Sequence, residues 1–347
     1  MGVRLDPSDE HMHELGPEPN FNESMYVNLF DPAEQLGGWF RIGNRANEGY
    51  AEMTVCLYLP DGRVAFMFQR PKIADNNAFN AAGLRIDVVT PFEEMTLSYD
   101  GKVAVLTNPL DMVEPKKAFT ENPREQCQVS LTILGRSAMF GGEPDTPHEA
   151  PGEEFAKGHY EQLLEGRGTI TVGDRTWTIT GYGLRDHSWG PRFWQAPFYY
   201  RWLTGNVGPG FGFMGSVVTK RTGPGSKGGF VWEDGMLHLV DECSVATEWS
   251  GEDTYHRRVA LTLTSSRSAK TWTINGDAFN LIPLRNRRTD PDGNELLTRI
   301  SEGMTSGPSP TDGSATDSAS TSIRSSTPCP SATTVRRRRS TSTVPTT

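Results

Sequence analysis

The chain is poor in everything that marks a nucleic-acid binder, a membrane span or a metal protein. Its 34 Lys and Arg are outnumbered by 43 Asp and Glu, for a formal charge of -9. Phosphate backbones and anionic membranes are recognised by clustered Lys and Arg. The one basic run, Arg336 to Arg339, lies in an unusual tail. No apolar stretch approaches the ~18 residues that cross a bilayer. The start, M-G-V-R-L-D-P-S-D-E, has no apolar signal-peptide core. These absences predict a cytoplasmic protein with no nucleic-acid partner and no membrane span. Cysteine is scarce: Cys56, Cys127, Cys243 and Cys329 form no C-x-x-C pair, which argues against structural zinc and for free thiols in a reducing compartment. G-x-S-x-G, H-E-x-x-H and Walker sequences are missing. Gly208 to Gly212 (G-P-G-F-G) lacks the following helix that a phosphate loop needs. No cofactor and no metal are expected, and His11 and His13 in the polar first residues read as solvated.

Helical periodicity is nearly absent too, and period-two alternation takes its place. In Ala51 to Leu59, residues Met53, Val55, Leu57 and Leu59 share one face, opposite Thr54, Cys56 and Tyr58. Pro60-Asp61-Gly62 then precedes a second apolar run, a strong hairpin signal because Gly supplies positive φ and Pro presets the turn. Asp100-Gly101, Gly173-Asp174 and Asp234-Gly235 repeat the device. Closely spaced strands predict an all-β sandwich or barrel. Residues 141–156 are rich in Pro, Gly and Glu, a linker composition. The expected organisation is a polar arm (1–21), a first antiparallel β domain (22–140), the linker, and a second β domain (157–305).

The tail, 306–347, has no Phe, Trp, Tyr or Leu. It reads as a disordered low-complexity segment, and more sharply as a frameshift product. Restoring one base near Thr305 permits T-E-W-T-L-A-D-G-R-I-G-Y-G-L-S-E-Y-L-D-Q-I, which recovers aromatics, a D-G turn and alternation. On that reading the natural protein ends in one more strand pair.

The densest chemistry is G-Y-G-L-R-D-H-S-W-G-P-R-F-W, Gly181 to Trp194, followed by further aromatics to Trp202. If extension continues through Trp189, Arg185, His187 and Trp189 share one face, with Asp186 and Ser188 on the other. Pro191 cannot donate to a ladder, so the strand should end there. His159 and Glu161 form a second, weaker pair on one strand face.

Several strings together resemble one family. They are N-E-S-M-Y-V-N-L-F-D near 22–31, R-I-G-N-R-A-N-E-G-Y at 41–50, H-Y-E-Q at 159–162 and G-Y-G-L-R-D-H-S-W-G-P-R at 181–192. They resemble the carotenoid 1,2-hydratase (hydroxyneurosporene synthase) superfamily, in its actinobacterial-type branch, over roughly 22–305. The restored tail is similar to that branch's ending. The resemblance implies two consecutive lipocalin-like β domains, an apolar cavity, and a site at Asp186, His187 and Trp189. Relatives hydrate isoprenoid and flavonoid double bonds or fold polyenes, so the family fixes architecture better than reaction.

Alkene hydration needs an acid to protonate carbon, a wall to stabilise the cation, and water on one face. Asp186 is the expected acid, with His187 orienting it or relaying the proton; the reverse order serves equally. Trp189, Trp194, Tyr200 and Trp202 are expected to face an apolar substrate, with Arg185 and Arg192 holding it. Two rival readings stand: a non-enzymatic carrier of an apolar metabolite, and a purely structural module in which Arg185 and Arg192 pair with Asp186, Glu161 or other carboxylates and His187 is a satisfied core histidine.

Overall fold

The computed structural model describes residues 2–145, 154–194, 196–220, 224–250, 255–289, 293–308 and 318–327. The alternation becomes strand almost throughout, and the described residues contain a single α-helix, α1 (Pro115–Glu121). The fold is all-β and lipocalin-like. The first sheet has twelve strands: β1 (Val3–Arg4), β2 (Phe21–Asp31), β3 (Leu36–Arg45), β4 (Tyr50–Tyr58), β5 (Val64–Gln69), β6 (Phe79–Ala81), β7 (Leu84–Thr90), β8 (Glu94–Leu106), β9 (Arg124–Gly135), β10 (Phe140–Pro144), β11 (Gly158–Val172) and β12 (Arg175–Pro191). Because β9 pairs with both β8 and β11, the path β11-β12-β2-β3-β4-β5-β8-β9 closes into an antiparallel ring. Met25, Val27, Phe40, Ile42, Val55, Leu97 and their neighbours fill it.

The second sheet holds nine strands: β13 (Pro197–Val207), β14 (Phe211–Lys220), β15 (Ser226–Glu233), β16 (Met236–Val240), β17 (Glu242–Ser250), β18 (Tyr255–Ser265), β19 (Lys270–Thr289), β20 (Glu295–Pro308) and β21 (Ser318–Thr327). Their order is β16-β15-β14-β13-β21-β20-β19-β18-β17. The sheet rolls around Leu203, Phe213, Val231, Leu261, Leu263 and Trp272. The two sheets meet through the outer face of the first ring. There Tyr26, Phe30, Trp39, Tyr58 and Phe66 pack with Ile282 and Met304.

Two expectations are corrected. The domain boundary does not fall at 141–156: β11 and β12 complete the first ring, and the crossover to the second sheet lies between Pro191 and Pro197. A Pro/Gly/Glu-rich excursion inside one barrel has the same composition as a linker between two; residues 146–153 of it lie outside the described residues. Asp100-Gly101 is not a turn. It lies within β8, which pairs with β7 before this point and with β5 after it, and β9 is laid along both halves. The other D-G and G-D signals do close hairpins, with Gly62, Gly173 and Gly235 at φ of 84°, 62° and 80°. β12 ends at Pro191, as the missing donor requires. In the expected low-complexity tail, β21 pairs with β13 and β20; residues 309–317 and 328–347 lie outside the described residues.

Candidate active site

β12 is shared between two environments, and its alternation sorts the R-D-H-S-W motif. Arg185 pairs with Val27 of β2 and His187 with Met25, so both enter the ring with those core side chains. Asp186 lies across from Tyr26 and Glu161, on the outer face turned toward the second sheet. Asp186 and His187 therefore cannot work as one couple. The expected relay is corrected: consecutive residues of a strand point to opposite faces.

Inside the ring, His187 is fully buried and its Nε2 lies 2.9 Å from Glu23 Oε1. His13 folds back from the N-terminal residues to place Nδ1 2.7 Å from the same oxygen and its backbone N–H on the same carboxylate. Asn76 Nδ2 donates to Glu23 Oε2 at 2.6 Å. Burial works to raise the Glu23 carboxyl, but the hydrogen bonds from His13 and His187 outweigh it and hold the group down at about 2. The His13 ring stacks on Trp189 at 4.0 Å, so the expectation that His13 is solvated is corrected. Beside this cluster, Arg185 forms a buried two-point ion pair with Glu10 and donates to Gln162 Oε1 at 2.9 and 2.7 Å. Tyr160 bridges the groups, accepting from Arg185 at 3.2 Å and lying 3.4 Å from His187 Nδ1.

His13, Glu23 and His187 are a donor set that could close on a metal ion. The Glu23 carboxylate also accepts from the His13 backbone N–H and from Asn76 Nδ2. Inside the ring Arg185 meets Glu10 rather than Asp186 or Glu161, and His187 meets Glu23.

The outer face carries different chemistry. Glu161 of β11 is 1% exposed. Its Oε1 accepts from Trp202 Nε1 at 2.9 Å across the sheet junction and lies 3.5 Å from His159 Nε2. Its Oε2 has no hydrogen-bond partner among the described residues. Burial first, and the Asp186 carboxylate second, push this carboxyl well above the ordinary value, against the opposing Trp202 hydrogen bond. A buried carboxyl beside a second acid keeps its proton. The junction continues through Asn28, whose Oδ1 accepts from Leu184 N–H at 2.9 Å and whose Nδ2 reaches Thr204 Oγ1 at 3.4 Å. Asn28, Thr204, Asn206 and Met304 enclose a cavity of about 10 Å³, the size of one water.

Of the other expected residues, Trp202 reaches this junction, with Tyr200 half-buried on the same face of β13. Arg192 donates to Ser188 Oγ at 2.7 Å and lies over Phe155 and Trp194, at 4.3 and 5.3 Å from the ring centroids. Trp189 belongs to the inner cluster. A wider cleft of about 590 Å³ is lined by Phe92, Glu94, Arg136, Met139 and Gln162. It borders the Arg185 network through Gln162 and through Phe92, whose N–H donates to Glu10 Oε2 at 2.8 Å and whose ring meets Tyr160 edge-on, and Glu161 faces the other side of β11. Glu10, Glu23 and Tyr160 were not singled out from sequence. Glu23 had a signal: in N-E-S-M-Y-V it alternates in phase with Met25 and Val27, an acid on a core-facing register.

A family model described as "Domain of unknown function (DUF7064)" matches residues 6–314. No curated protein matches in sequence. Among solved structures, CghA with Sch210972 is 11% identical, covering 89% of this chain and 88% of that one, with a TM-score of 0.52. Kievitone hydratase from Nectria haematococca is 7% identical, covering 88% of each chain, with a TM-score of 0.51. At such identities the likeness is one of fold.

Proposed function

We propose that this chain, which belongs to the DUF7064 family, is a cofactor-independent lyase or isomerase that protonates an apolar substrate, with Glu161 as the acid. The observation that carries the reading is a carboxyl held protonated by burial and by Asp186, with one oxygen fixed by Trp202 and the other unengaged. We move the acid role from Asp186 to Glu161, which burial first and Asp186 second hold above the ordinary value. Protonation of carbon by a positioned acid contributes roughly 10²–10⁴ in rate. Trp202, Tyr26 and Trp39 stand on the same side of the ring, where aromatic faces stabilise a developing cation. Hydration or dehydration of a carbon–carbon double bond in a terpenoid, polyketide or steroid-like molecule is the concrete form. The fold shared with kievitone hydratase supports a hydratase-type reaction by analogy; nothing in the site singles out a carotenoid.

The test is solvent isotope incorporation. Wild type and Glu161→Gln are incubated in D₂O with a panel of isoprenoid and polyketide alkenes, and products are read by mass spectrometry. Deuterium at carbon with wild type, lost in Glu161→Gln while binding persists, is the expected result. Equal incorporation by both proteins removes Glu161 from the chemistry, and binding without turnover by wild type favours the carrier reading.

A further inference from the structure

We propose that the mouth of the second barrel binds an amphipathic monocarboxylate, with the Arg201 guanidinium as its charge-recognising floor. This site is separate from the Glu161 junction. Arg201 and Trp202 are consecutive on β13, so when Trp202 faces the first sheet Arg201 enters the second barrel, in phase with Leu203 of its core.

Arg201 is 1% exposed. Its Nη1 donates to Thr247 Oγ1 at 2.9 Å and reaches Tyr199 Oη at 3.5 Å. Among the described residues Nε and Nη2 meet no acceptor and Arg201 forms no ion pair. Buried guanidinium groups are ordinarily paired, because an isolated charge out of water is strongly disfavoured. The contrast within this molecule is direct: Arg185, equally buried, has the Glu10 carboxylate on two of its nitrogens. The two unengaged nitrogens of Arg201 lie along one edge of the guanidinium plane. That edge takes a carboxylate side-on through two parallel N–H···O bonds.

His256 completes the polar floor. It is buried, neither ring nitrogen has a partner among the described residues, and burial together with the Arg201 charge brings it down to about 3. The ring is therefore neutral at physiological pH and can donate one N–H to an anion without adding a second charge. A single cation suits a monoanion better than a phosphate dianion. The walls are apolar. The guanidinium carbon lies 5.2 Å from the Trp249 ring centroid, and Val217 and Val245 pack against the core below. Exposure grades along the barrel: Tyr199, Val245, Thr247 and Trp249 are half-buried, whereas Leu203, Phe213, Leu261 and Leu263 are buried. The half-buried ring of side chains is the entry, and the chain of the acid would lie along Trp249 and the valines.

The probe is decanoate, compared with decanol of the same chain length. Melting temperature and calorimetric titration are read on wild type, Arg201→Met, Arg201→Lys and Glu161→Gln. Decanoate is expected to raise the melting temperature of wild type and Glu161→Gln, and decanol to do so at least tenfold less efficiently by concentration. Arg201→Lys keeps the charge but loses the two-point edge, so affinity for decanoate is expected to fall tenfold or more. Arg201→Met is expected to lose the preference for the acid and to melt, without ligand, no lower than wild type, since it removes an unpaired buried charge. Equal response to acid and alcohol, unchanged decanoate affinity in Arg201→Met, or an Arg201→Met protein that fails to fold would each overturn the proposal. The last would mean that the guanidinium is held by the protein itself.

Discussion

If Glu161 keeps its proton in the folded state, replacing it by Gln should stabilise the protein as pH rises. The ordinary carboxyl value is 4.5, and in the fold it is raised by burial and by Asp186. An acid whose folded value is raised holds a proton that the unfolded chain releases above 4.5. Stability therefore declines from that pH upward, by about 1.36 kcal/mol per unit, until the folded carboxyl itself ionises. Between pH 5 and pH 7 the single group is worth up to roughly 2.7 kcal/mol. Gln has nearly the same shape, can accept from Trp202 Nε1, and can donate toward Asp186. Urea unfolding of wild type and Glu161→Gln at pH 5, 6 and 7 isolates this group together with its coupling to Asp186, because the titrations of uncoupled groups cancel in the difference. The variant should be the more stable protein at pH 7, with a gap that narrows toward pH 5, while losing turnover. A pH-independent difference would refute the reasoning at its root, since it would mean that Glu161 ionises like any surface carboxylate.

Other outcomes follow from the same contacts. Asp186→Asn removes the neighbouring charge, so it should shrink the pH-dependent gap between wild type and Glu161→Gln in the same urea series. Glu23 behaves with the opposite sign: its folded value of about 2 lies below the ordinary 4.5. Its stabilisation, of order 3 kcal/mol, is present above pH 4.5 and lost as pH falls toward 2, and acid titration of Glu23→Gln by circular dichroism should lack that limb. Arg185→Met leaves the buried Glu10 carboxylate unpaired and should cost about 3–5 kcal/mol by denaturant unfolding; the double variant with Glu10→Gln should recover a large part of it. A Cβ at Gly183 would collide with the Asn28 carbonyl oxygen across the β12–β2 ladder. Gly183→Ala should therefore destabilise by about 1–3 kcal/mol or more in the same assay.

The all-β fold was legible because alternation and turn residues are local signals. Met53, Val55 and Leu57 announce their shared face without knowledge of anything distant. The domain boundary was not legible, because it depends on which strand closes the ring. β11 and β12 find β9 and β2 across long stretches of chain, and only those pairings reveal that 141–156 interrupts one barrel rather than separating two. The Asp100-Gly101 misreading has the same origin: a local turn signal was overridden by β9 running alongside both halves of β8. The N-terminal residues were misread for a related reason. His13 looks solvated in a polar segment, and its partner Glu23 becomes a neighbour only through folding, as Arg185 does for Glu10.

The site was half legible, and the missing half follows from one rule applied to a shared strand. Period-two alternation places Arg185 and His187 on one side of β12 and Asp186 on the other, and that much is visible in the sequence. Which side holds structure and which holds chemistry depends on what lies across each face. Inside the ring, every charge meets its complement: Arg185 meets Glu10, and His187 meets Glu23. Such closure stabilises and orients but leaves no proton to give. Outside, two carboxyls, Glu161 and Asp186, are set together; the basic group beside them, His159 at 3.5 Å from Glu161, is itself pushed toward its neutral form by burial, and the more buried of the two acids is held protonated. Paired charges are spent on the fold, whereas like charges held together carry a proton that can be transferred. The motif draws the eye to His187, but the frustrated pair on its far side is where acid chemistry can occur.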